Sequence, residues 1–104
     1  MSRYLMLVFT DPVAGREAAY NAWYDGVHLD EVCTVPGVLS ARRLEADPRS
    51  PVKSQSQYLA LYELEVEDPS LVMTELGRRR RAGEMRMSAA LDAANAKVCF
   101  FRYR

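Results

Sequence analysis

The sequence predicts an α+β fold: one domain in the order β-α-β-β-α-β, a four-stranded antiparallel sheet with helices on one face. Three observations carry this. The chain has 104 residues, the size of one domain around one core, so residues 1–104 are read as a single unit. Its apolar residues alternate between short runs bounded by Pro, Gly and Asp and longer stretches with three- and four-residue spacing. The order of those patterns is that of a split β-α-β arrangement.

The elements follow one by one. Residues 3–10 are a run of strand formers ending at Asp11-Pro12, where proline removes a ladder donor. From Gly15 to Val32, the large side chains of Tyr20, Trp23, Tyr24 and Val27 recur at helical spacing and gather on one stripe. Gly26 inside this helix costs up to about 1 kcal/mol relative to Ala, which marks a close backbone approach or a loosened helix. Pro36-Gly37 turns the chain into a second strand, Val38 to Glu45, and the polar, proline-containing stretch Ala46 to Ser56 reads as a surface loop. Gln57 to Val66 is the clearest strand. Leu71, Val72, Met73 and Leu76 open a second helix. Glu84 to Asn95, with Met85, Met87, Ala89, Ala90 and Leu91, predicts either its continuation past a break or a second short helix. Ala96 to Tyr103 closes the chain as the fourth strand.

Both faces of the strands are apolar. Tyr58, Ala60, Tyr62, Leu64 and Val66 point one way and Leu59 and Leu61 the other, while Tyr4, Met6 and Val8 oppose Leu5, Leu7 and Phe9. Two helices cover one face only, so the second face is expected to be covered by another copy of the chain, a homodimer.

Composition narrows the function classes. Lys+Arg and Asp+Glu are equal at 14 each, which gives no polyanion-binding surplus, so no nucleic-acid partner is expected. The apolar run Tyr4 to Thr10 is far too short for a membrane span and no leader pattern opens the chain, so a cytoplasmic protein without a membrane partner is expected. Cys33 and Cys99 have no second ligand at metal spacing and are expected to be buried or partly buried free thiols. No phosphate-binding glycine loop and no Ser-His-acid set can be assembled, so no cofactor and no metal are expected.

The run Asn21-Ala22-Trp23-Tyr24-Asp25-Gly26-Val27-His28, followed by Val35-Pro36-Gly37-Val38 and Ala41-Arg42-Arg43-Leu44, resembles the signature of dimeric α/β-barrel proteins close to the EthD family. The resemblance implies a ferredoxin-like protomer, a dimer made by sheet-to-sheet packing, and a cleft in each subunit between sheet and helices. It also implies relatives among cofactor-free monooxygenases, polyketide cyclases and muconolactone-type isomerases, which fixes an architecture more firmly than a reaction. Leu44 stands where such sequences often carry Phe.

His28 is the only histidine and the only side chain whose ordinary pKa lies near neutrality, which makes it the candidate general base. On an α-helix it follows Tyr24 by four and Asp25 by three, so either could orient the imidazole, with Asn21 one turn back. The competing reading is that His28 satisfies buried polar groups where helix meets sheet. Trp23 reads as core by its stripe and as substrate contact by the motif; Tyr58 and Tyr62, on one strand face, read as packing or as lining for an aromatic ligand. Of the adjacent Arg42 and Arg43, which face opposite ways, one is expected in the cleft, with Arg42 taken as the substrate contact. The run Arg78 to Arg81, with Glu75 and Glu84 beside it, reads as a solvated, ion-paired helix face. Two functions follow: a cofactor-independent cyclase, isomerase or monooxygenase acting on a hydrophobic aromatic or polyketide-like small molecule, or a non-catalytic protein that binds one.

Overall fold

The computed structural model describes residues 1–104. Four antiparallel strands form one sheet in the order β2-β3-β1-β4, with β1 (Ser2–Thr10) and β3 (Tyr58–Val66) at its centre and β2 (Val38–Glu45) and β4 (Lys97–Arg102) at its edges. The central pair runs in unbroken register from Ser2 opposite Val66 to Thr10 opposite Tyr58. Its period of two sends Met6, Thr10, Tyr58, Ala60, Tyr62 and Leu64 to one side, where all are buried. Every strand of the expected order is present, and the helices lie on that one side.

The first helical stretch is a continuous rod in three parts: α1 (Glu17–Trp23), a π-helical turn (Tyr24–His28) and α2 (Leu29–Cys33). It lays Tyr20, Tyr24 and Val32 into the core. Gly26 sits inside the π turn, and a Cβ added there would meet nothing within 4 Å. Of the two readings of this glycine, the loosened helix holds and the close approach does not. Gly37 is the opposite case: its φ is +93°, and an added Cβ would lie 2.3 Å from Val66 Cγ1. The Pro36-Gly37 turn into β2 therefore requires glycine on both counts.

The third helix, α3 (Ser70–Arg81), begins where the Asp68 carboxylate accepts hydrogen bonds from the Ser70 amide and hydroxyl, and it ends at Gly83, whose φ is +72°. Beyond it the expected helix over Glu84 to Asn95 is absent. The segment is irregular, with only a short 3₁₀ turn at Ala93–Asn95. Its backbone is satisfied by other elements: Ala90 carbonyl accepts from Val13 N–H at 2.7 Å, Asp92 N–H donates to Asp11 carbonyl at 3.0 Å, and Arg86 carbonyl accepts from the Trp23 indole at 2.6 Å. The helix formers Met85 and Ala90 are spent as buried pins instead, and tertiary anchoring overrides propensity.

On the opposite side of the sheet Leu5, Leu7, Phe9, Leu59 and Leu61 are half-buried, and Leu44 and Phe101 at the edges are 44% and 58% exposed. Nothing in this chain covers that face. Cys99, paired across the ladder with Leu7, projects onto it, and Cys33 ends α2; both are free thiols, and both are exposed, against the expectation that they are buried or partly buried. No helix is long and apolar enough to cross a membrane.

Candidate functional site

Between the buried sheet face and the helices lies a cavity of about 290 Å³. The sheet contributes Met6, Val8, Tyr62 and Val98; the first rod contributes Tyr24, His28 and Val32. α3 adds Met73, Leu76 and Arg80, and the irregular return segment closes the remaining wall with Met85, Met87 and Leu91. Thirteen of the 17 lining residues are hydrophobic; the other four are Thr10, His28, Gly77 and Arg80.

His28 reaches this wall because the π turn carries it there. Its ring stacks on Trp23 with centroids 4.5 Å apart and meets the edge of Tyr24 at 5.0 Å. Its Nδ1 is buried and has no hydrogen-bond partner. Burial first, and the nearby Arg80 cation second, lower its pKa to about 4, so the imidazole is neutral at pH 7. The Tyr62 hydroxyl is likewise buried, with the Tyr24 hydroxyl beside it but no hydrogen bond of good geometry, and burial pushes it far above the ordinary phenol value; burial raises Tyr24 to about 12. A buried polar group left unpaired costs about 1–3 kcal/mol. His28 and Tyr62 line the same largely apolar cavity, which sets an imidazole and a phenol among its walls.

The remaining sequence candidates divide. Asp25 does not orient His28: it pairs with Arg43 at 2.9 Å and its side chain is 64% exposed. Three-residue spacing aligns side chains on an α-helix, but the wider i→i+5 turn at Tyr24–His28 swings Asp25 away while leaving Tyr24 beside the imidazole. Asn21 donates to the Tyr58 hydroxyl at 3.2 Å, and Tyr58 donates to Glu17; this cluster, with Arg43, borders a separate shallow hollow and not the apolar cavity. Trp23 holds the cavity's frame, stacking on His28 and pinning Arg86, without forming its wall.

Arg42 pairs across the ladder with Leu61 and so lies on the uncovered face, away from the cavity, and not in the cleft where the sequence expectation put it. The inward arginine is Arg43, opposite Ala60, with its guanidinium 4.5 Å from the Tyr24 ring centroid, 5.0 Å from Tyr58 and 5.2 Å from Tyr20. It is a strut clasped by three aromatic faces. The residues missed in the sequence are Arg80 and its neighbours on α3. Their signal was present: Met73, Leu76 and Arg80 follow at three- and four-residue spacing, the stripe that faces the cavity. Arg78 and Arg79 form the ion-paired face that the sequence predicts, bound to Glu75 at 2.8 and 2.7 Å.

A wider hollow of about 800 Å³ lies against the loop 46–57, but it is lined by polar and charged residues with Ala46 and the two prolines Pro48 and Pro51. No group of three His, Cys, Asp or Glu side chains converges at a spacing that could hold a metal ion.

No family model matches the chain, and no curated protein matches it. Among solved structures it is similar to a candidate monooxygenase from Shewanella loihica PV-4, with a TM-score of 0.65 at 16% identity over 100% of this chain and 97% of that one. It is also similar to an ethyl tert-butyl ether D (EthD) family protein from Bacillus halodurans C-125, with a TM-score of 0.62 at 12% identity over 100% of both chains. With its four-stranded antiparallel sheet, helices on one face and β2-β3-β1-β4 order, the chain shares the α+β fold of these two proteins.

Proposed function

We propose that this protein is a cofactor-independent small-molecule enzyme of the cyclase, isomerase or monooxygenase kind, acting on a hydrophobic aromatic or polyketide-like substrate with His28 as its proton acceptor. The observation that carries the reading is a neutral imidazole with an unpaired Nδ1 lining a largely apolar cavity, with the Tyr62 phenol on the same cavity. A neutral imidazole accepts a proton from an acidic carbon or phenol, and a neutral phenol donates to the oxygen on which negative charge develops. The likeness in fold to a candidate monooxygenase and to an EthD family protein supports a small-molecule role without specifying the reaction. A second copy covering the sheet's open face completes the proposed assembly, a cytoplasmic homodimer.

The lowered pKa of His28 favours a second reading. An imidazole with a pKa of about 4 is a weak base at neutral pH, which suits a non-catalytic protein that binds the same class of molecule within a catabolic or biosynthetic pathway. One experiment separates the two: wild type and His28→Ala are incubated with a panel of aryl ketones, phenols and lactones in deuterated buffer, and turnover and solvent exchange are followed by NMR. The enzyme reading expects turnover or exchange that falls about a hundredfold or more in the variant while the fold is retained. Binding without turnover in wild type selects the second reading, and equal turnover in both proteins removes His28 from the chemistry.

A further inference from the structure

Three neighbouring arginines on α3 have different fates. Arg78 is held by Glu75 and Glu84, and Arg79 by Glu75 and the Thr34 hydroxyl. Arg80 has no carboxylate partner, and it is the one charged residue on the cavity wall. The cavity's other lining residues outside the hydrophobic set are Thr10, Gly77 and His28; Thr10 is already bonded to the Tyr20 hydroxyl. No acidic side chain faces this space. The site is therefore an apolar chamber with one uncompensated cation on an exposed side chain at its rim.

From this juxtaposition we infer that the ligand is an apolar ring compound bearing a carboxylate, whose ring fills the chamber beside His28 and whose carboxylate is taken by the Arg80 guanidinium. The inference rests on the small-molecule reading of this cavity and narrows its substrate class. A guanidinium matches a carboxylate with two parallel N–H donors, which a neutral amide of the same shape cannot receive. Its proximity also disfavours protonation of His28, so the same cation that receives the ligand's anion helps to keep the imidazole neutral.

The test is calorimetric titration of wild type, Arg80→Gln and Arg80→Lys with 2-naphthoate and its neutral counterpart 2-naphthamide. Wild type is expected to prefer the carboxylate by about tenfold or more, a preference that weakens with added salt. Arg80→Gln is expected to weaken carboxylate binding about tenfold and so abolish the preference, with the thermal midpoint read alongside to confirm the fold, and Arg80→Lys to retain part of it. Equal binding of the two probes by wild type, or a preference that survives Arg80→Gln, overturns the assignment to Arg80 and leaves the cavity reading standing. Binding of neither probe by wild type overturns both.

Discussion

At the scale of single residues, His28 couples the site to stability. Its folded pKa of about 4 lies below the unfolded value of 6.5, so between those values the unfolded chain binds more protons. Stability is therefore full above about pH 6.5 and falls as the pH drops toward 4, by up to about 3 kcal/mol. Urea denaturation at pH 7 and pH 4.5 is expected to show this loss in wild type and a smaller loss in His28→Gln; an equal loss in both removes the imidazole as its source. The candidacy of His28 was legible because it is the only histidine. Its surroundings were not. Asp25 was misplaced because the angular position of a side chain depends on whether the turn is α or π, which spacing alone does not say. Arg42 and Arg43 were exchanged for a similar reason: alternation says that they oppose each other, and only register with Leu61 and Ala60 says which one faces inward.

At the scale of elements, the strands were the most legible part, since a period of two with apolar residues on both faces fits a sheet covered on both sides and little else. The first helix was legible as one rod, and Gly26 marked the place where it widens into the π turn. The stretch Glu84 to Asn95 was not legible, because its alanines and methionines carry helix propensity while the Trp23 indole and the backbone of Asp11 and Val13 claim its polar groups. Those partners are distant in sequence and leave no local trace. The Pro36-Gly37 turn makes a sharper prediction. Gly37→Ala places a methyl 2.3 Å from Val66 Cγ1 at a φ of +93°, and the expected cost is about 2 kcal/mol or more in thermal or urea unfolding. A variant as stable as wild type contradicts the packing described between this turn and the end of β3.

At the scale of the whole molecule, one sheet serves two purposes. One face and the helices enclose the cavity; the other presents Leu5, Leu7, Phe9, Leu59 and Leu61 with no cover from its own chain. A contiguous apolar face of that kind is unfavourable in water, and the proposed homodimer would cover it with the same face of a second copy. Sedimentation equilibrium is expected to give twice the 11.8 kDa chain mass, and Leu61→Arg to shift the protein toward single chains. A well-behaved wild-type monomer contradicts the dimer. Closure of the cavity, and its capacity for a ligand, can be read at a single atom group of the folded protein. The direct measurement is an NMR pH titration of the lone imidazole, with and without 2-naphthoate. The expected result is a midpoint near 4 in the free protein and imidazole signals that move on addition of the probe. A midpoint near 6.5, unchanged by the probe, would mean a solvated histidine beside no binding site.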